Sequence, residues 1–210
     1  MKPNRHNADT VIVVDFETSG LSPNMGDRVI EVGAVKLEAG KIVARFQSLM
    51  NPGMRIDDFI ERYTGITNSM LKTSPTCETV IHDFIDFVGD NNLVAHNASF
   101  DSRFLDAECR FINREYSGGW VCSMLASRRV YPASPNHQLG TLVRYKNLPN
   151  DGTFHRALAD AEMTAHLWLG MLSDIQAEHK VSDLTFRSMA ELTRISKSAT
   201  PRFFSKMKVL

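Results

Sequence analysis

Val11–Gly20 reads VIVVDFETSG, and the reading of the fold starts there. It opens on four β-branched apolar residues, Val11 to Val14, a continuous run that suits a strand buried on both faces. Asp15-Phe16-Glu17 follows. Residues two apart on a strand share a face, so Asp15 and Glu17 project together while Phe16 turns the other way into packing. Thr18-Ser19-Gly20 ends the strand, and Leu21-Ser22-Pro23 begins a loop. Two carboxylates side by side at the mouth of a buried strand repel each other, and buried charge is costly unless paired. A hard divalent cation such as Mg²⁺ is a natural partner for them. On a solvated strand face the same pair would carry no meaning, so the rest of the chain has to arbitrate.

Outward from that strand, Arg28–Leu37 alternates well enough for a second strand, Glu38–Lys41 reads as a hairpin turn around Gly40, and Ile42–Met50 returns as a third. Asn51-Pro52-Gly53 breaks the pattern. Asp57–Tyr63 is predicted as a short helix leading into Thr64-Gly65-Ile66-Thr67, where Ile66 is either a core plug beneath the loop or a wedge against a nucleotide base. Ser74-Pro75-Thr76 announces a helix with Val80, Ile81, Phe84, Ile85, Phe87 and Val88 on its apolar face, ended by Gly89. Leu93–His96 is a short strand, Asn97-Ala98-Ser99 a turn, and Phe100-Asp101 the start of a helix burying Phe104, Leu105, Cys109 and Ile112. Trp120–Cys122 reads as a strand, and Ser123–Val130 and Leu139–Tyr145 as helices separated by a rigid Pro132–Pro135 loop. After an irregular polar loop at Leu148–Thr153, a long amphipathic helix runs from Ala157 to about His179, with Leu158, Ala161, Ala165, Leu169 and Leu172 facing the core. Strands leading to helices that return to strands predict an α/β fold, a mixed sheet flanked by helices.

The 210 residues allow one substantial domain and a small appendage. With 24 basic against 24 acidic residues, net charge gives no pointer to nucleic acid. No apolar run approaches the ~20 residues of a membrane span, and the polar Met1–Thr10, expected to be frayed, lacks a signal-peptide core. Cys77, Cys109 and Cys122 show no paired spacing, which predicts a reducing, cytoplasmic setting without a disulfide framework or zinc site. From Leu184 onward six basic residues stand against one acid, Glu191. This stretch reads as a docked helix with a solvated basic face or as an arm that contacts phosphates or a partner.

Further acids fall where elements expose side chains. Asp101 opens the helix after Leu93–His96, and Asp160 lies in the first turns of the long helix, five residues after His155 at the end of the polar loop. Taken singly, Asp101 is a helix-dipole charge, Asp160 a solvated helix residue and His155 a loop histidine. Together they fit phosphodiester hydrolysis, in which the attacking and leaving oxygens both gain negative charge, two metal ions ~4 Å apart stabilise both, and a histidine takes the proton of the attacking water.

VDFETSG, VAHNASFD and HRALADAE resemble the three motifs of the DEDDh, or DnaQ-like, family of 3′→5′ exonucleases, whose members include the proofreading epsilon subunit of bacterial DNA polymerase III and stand-alone relatives. The resemblance runs from about Val11 to Met171. It implies a ribonuclease H-like fold over residues 1–180, followed by a basic tail at 181–210, a docked helix with a flexible end. It implies two divalent ions, Mg²⁺ with Mn²⁺ able to substitute. Asp15, Glu17, Asp101 and Asp160 would be metal ligands, with Asp15 bridging and Asp101 completing the second ion's environment through water, and His155 would be the general base. The backbone at Thr18 would hold the terminal nucleotide, Ile66 would lie against its base, and Asn97 would line the strand's path. The expected substrate is the 3′ end of single-stranded DNA, cleaved to nucleoside 5′-monophosphates. The alternatives are RNA as substrate, or a binding or scaffold subunit with a vestigial site, which would be expected to have lost a carboxylate. The tail shows no polymerase-binding segment or clamp-binding peptide of the kind the replicative subunit carries, which favours a stand-alone exonuclease.

Overall fold

The computed structural model describes residues 7–149, 155–181 and 183–207. Among these, five strands form one sheet: β1 (Val11–Thr18), β2 (Val29–Glu38), β3 (Lys41–Leu49), β4 (Leu93–Ala95) and β5 (Trp120–Cys122), in the order β3-β2-β1-β4-β5. β1 lies at the centre, antiparallel to β2 and parallel to β4, while β3 is an edge. The β2–β3 turn takes positive φ at Ala39 (48°) and Gly40 (74°), as a tight hairpin turn requires.

The apolar run of β1 divides between two cores, one on each face of the sheet. Val11 and Val13 join the cluster under the long helix α7 (Ala157–His179). Ile12, Val14 and Phe16 join the cluster beneath α3 (Cys77–Val88) and α4 (Ala98–Phe111), where Phe16 meets Phe84 edge-on at 5.8 Å. Each fully buried side chain of this size contributes roughly 1.5–3 kcal/mol, so β1 is held firmly from both faces.

α7 crosses the sheet at Gly33, opposite Asp15 in the strand register. A Cβ on Gly33 would fall 2.1 Å from the Ala157 carbonyl carbon and 2.0 Å from the Leu158 nitrogen. Only glycine lets the start of this helix lie so close to β2. On its outer side α7 is covered by α5 (Ser123–Val130) and α6 (Leu139–Tyr145). Its buried face is therefore broader than expected, with Trp168, Met171 and Ile175 fully buried and Leu158 and Leu169 only partly so.

Other expectations need correction. Residues 7–10 are not frayed. Asn7 bridges to Thr185, Ala8 is fully buried, and its carbonyl accepts the Trp168 indole N–H at 2.7 Å. A short helix, α2 (Asn68–Lys72), follows α1 (Asp58–Thr64), and α4 begins at Ala98 because Asn97, at φ 82°, takes the left-handed conformation just before it. The C-terminal part holds two helices, α8 (Phe186–Arg194) and α9 (Thr200–Met207). They bury Phe186, Met189, Leu192 and Phe204 in the α7 cluster. The expected polar loop at 148–153 lies largely outside the described residues.

Candidate active site

The carboxyl end of β1 is where the predicted residues meet. Asp15 and Glu17 share the α7 face of the strand. Asp160 stands in the first turn of α7, and its Oδ2 accepts the His155 backbone N–H at 2.9 Å. Ligand atoms of Glu17, His155 and Asp160 lie within 4.8 Å of one another, close enough to share one metal ion. Asp101 arrives from the other side of the sheet. β4 stops at Ala95, well short of the end of β1, and Asp101 Oδ1 accepts the Phe16 N–H at 3.3 Å.

The acids are electrostatically crowded. Burial raises the Asp15 carboxyl well above its usual range, and the charges of Asp101, Asp160, Glu17 and Glu31 raise it further. Glu17 is pushed up to about 8, first by burial and then by Asp160, Glu31 and Asp101. Burial also raises Asp101 and Asp160. Arg156 lowers Glu17, but less than burial and the neighbouring carboxylates raise it, and its Nε and Nη2 donate to Glu31 at 3.1 and 2.8 Å. Hard oxygen donors crowded together in this way are the donor set that Mg²⁺ or Mn²⁺ favours.

One predicted contact turns out differently in the structure. Ile66 is fully buried with Ile30, Ile56 and Leu71, so it has no surface to lay against a base. The Thr64–Thr67 segment is accounted for as a helix-to-helix joint. Gly65 ends α1 at φ 72°, Thr67 Oγ1 caps α2 by accepting the Met70 N–H, and Ile66 fills the space beneath. The Thr18 side chain is buried and donates to the Gly20 carbonyl at 2.6 Å, leaving its backbone as the part able to serve a ligand. Asn97 is exposed at the start of α4, and its side chain does not cap that helix.

Sequence reasoning missed three contributors. Glu31 is fully buried, paired with Glu17 across the strands, and accepts from Arg156, the Ala157 N–H and Gln47, so it ties the start of α7 to β2. Gly33 makes room for that helix. An acid and a glycine inside the apolar run VIEVGAV were the available signals. The third is Tyr63, whose ring lies 4.2 Å from that of His155 and 5.9 Å from that of Phe59. Burial and then Glu17, Asp160 and Asp15 raise the Tyr63 hydroxyl, which places it beside the acids.

Residues 12–168 match the RNase_T exonuclease family model. The chain belongs to the DEDDh exonuclease family. It is 31% identical over 175 residues to the DNA polymerase III subunit epsilon of Aquifex aeolicus (strain VF5), covering 83% of this chain and 86% of that subunit. It is 40% identical over 168 residues to a PolC-type DNA polymerase III of Bacillus subtilis (strain 168), covering 79% of this chain but only 12% of the polymerase. Among solved structures, Exonuclease X in complex with 5′ overhanging duplex DNA superposes with a TM-score of 0.68 at 28% identity, covering 87% of this chain and 99% of that chain. The mixed sheet flanked by helices is the ribonuclease H-like fold of these exonucleases.

Proposed function

We propose that this exonuclease hydrolyses the last phosphodiester at the 3′ end of single-stranded DNA and releases nucleoside 5′-monophosphates. The observation that carries this is the convergence of Asp15, Glu17, Asp101, Asp160 and His155 at the end of β1. Asp15, Glu17, Asp101 and Asp160 would hold two divalent ions, Mg²⁺ or Mn²⁺. Bound there, such ions neutralise the charge that develops on the attacking and leaving oxygens. His155 lies on the exposed side of the cluster, its backbone held by Asp160, and takes the proton of the water that attacks phosphorus. The bond from phosphorus to the 3′ oxygen then breaks. The backbone at Thr18 and the side chain of Asn97 hold the terminal nucleotide and the strand behind it, contacts that carry little sequence preference. Residues 1–180 act as the exonuclease domain and 181–210 as an added basic tail. The kinship with polymerase III subunits supports work on DNA in the cytoplasm, alone or beside a polymerase. Among the described residues no helix is long and apolar enough to cross a membrane.

The test is a timed gel with a DNA oligomer labelled at its 5′ end and its RNA counterpart, each with Mg²⁺ and then with EDTA. Stepwise shortening of the DNA from the 3′ end, stopped by EDTA, is expected. Faster shortening of the RNA would overturn the substrate assignment. Protein inert on both with Mn²⁺ would overturn the catalytic one.

A further inference from the structure

Helix α1 brings two aromatic rings to the site and leaves them in water. Phe59 and Tyr63 lie one helical turn apart and share a face of α1. Their rings are stacked, 5.9 Å between centroids and 14° between planes. Phe59 is 65% exposed and Tyr63 51%. The neighbouring face of the same helix is taken up by the core. Ile60 packs on Ile30, Ile56, Ile66 and Leu71, and Thr64 is buried with its hydroxyl donating to the Ile60 carbonyl at 2.8 Å. Phe59 and Tyr63 belong to none of the hydrophobic clusters of the fold. Phe111, as exposed as Phe59, differs in holding the Arg28 guanidinium over its face at 4.6 Å.

The row of rings continues into the site. The Tyr63 ring lies 4.2 Å from the His155 imidazole, and ligand atoms of His155, Glu17 and Asp160 lie within 4.8 Å of one another. Three rings therefore run in sequence from the acid cluster out along α1. A strand whose last phosphodiester sits at those acids brings its neighbouring bases to this row. Charge narrows what the row can hold. Asp58 and Glu61 on α1, with Asp57 just before it, stand against Arg62, a setting that repels phosphates. What the helix offers is the faces of rings, and these suit the neutral face of an unpaired base. Such stacking is indifferent to sequence, because every base has a π face. In a duplex the bases already stack on one another, so the rings favour a single-stranded end.

We propose that Phe59 and Tyr63 form a stacking platform for the bases next to the scissile 3′ bond, so that α1 supplies a preference for an unpaired end. This rests on the reading of the site as an exonuclease centre. The experiment measures Kd by fluorescence anisotropy in Ca²⁺, with the length of the strand checked on a gel afterwards. Two probes are compared: a 5′-labelled oligothymidylate, and the same strand with three abasic tetrahydrofuran residues just before its terminal nucleotide. Wild type should bind the abasic strand about tenfold more weakly than the intact one, the worth of a stacked base. F59A should bind the intact strand about tenfold more weakly than wild type does, F59A/Y63A should no longer distinguish the two strands, and F59W should restore the difference. The slope of log Kd against log salt should stay the same throughout, because no phosphate contact is lost. A merely structural role for the rings would weaken both strands alike, and that result would overturn the platform. Equal Kd of wild type for the two strands, or a difference undiminished in F59A/Y63A, would also overturn it and leave the rings as a face for a partner protein. A wild type that shows the difference yet leaves the strand whole in Mg²⁺ would support the platform while counting against the catalytic reading.

Discussion

At the residue scale, the site joins groups that repel one another with one that can move a proton. Asp15 is raised by burial and by four neighbouring carboxylates. Asp15→Ala removes both a proposed metal ligand and that repulsion. We expect cleavage to be lost while the metal-free protein melts no lower than wild type; near-normal cleavage by the variant would remove the metal assignment. His155 differs, because it sits on the exposed side of the cluster with its ring on Tyr63. His155→Ala should lower kcat by ~10²–10⁴, the usual contribution of a general base, with the oligonucleotide Kd unchanged. A loss below tenfold would mean that another group accepts the proton.

At the element scale, catalytic geometry depends on where α7 begins. The helix is held on β2 by Glu31, which accepts from Arg156 and the Ala157 N–H, and by the absence of a side chain at Gly33. Gly33→Ala sets a methyl against helix backbone, which has no rotamer to escape into. Overpacking of this kind costs about 1–3 kcal/mol. We expect a lower melting temperature together with a loss of activity larger than the loss of fold, because the displaced backbone carries His155 and Asp160. Retention of full activity would show that the start of α7 does not set the site.

At the scale of the whole molecule, the acid cluster makes stability depend on pH and on metal. Glu17 has its pKa raised from 4.5 to about 8 in the folded protein. A carboxylate raised by folding binds its proton more tightly in the native state, so its contribution is fully present below pH ~4.5 and is lost as pH rises through about 8. Melting of the protein in EDTA should therefore fall between pH 5 and pH 8.5, beyond what the same scan shows for Glu17→Gln. Mg²⁺ or Mn²⁺ should restore more at pH 8.5 than at pH 5, because binding must displace fewer protons there. An identical pH dependence for wild type and Glu17→Gln would remove the electrostatic account.

Much of this molecule was legible in its sequence, because its strongest signals are local. A β-branched run ending in Asp15 and Glu17, strand and helix periods, and the order of acids and histidine all lie within short windows, and the structure keeps β1, α3 and the start of α7 where those windows put them, with α4 starting two residues early. What lay beyond the sequence was what different parts of the chain do to one another. That Ile66 is a plug, that Tyr63 backs His155, that Gly33 admits a helix and that two tail helices join the α7 cluster are outcomes of packing between segments far apart in the chain. A single chain's residue pattern records which side chains prefer to be buried or charged; only the folded arrangement decides which neighbours bury them and whose charge they meet.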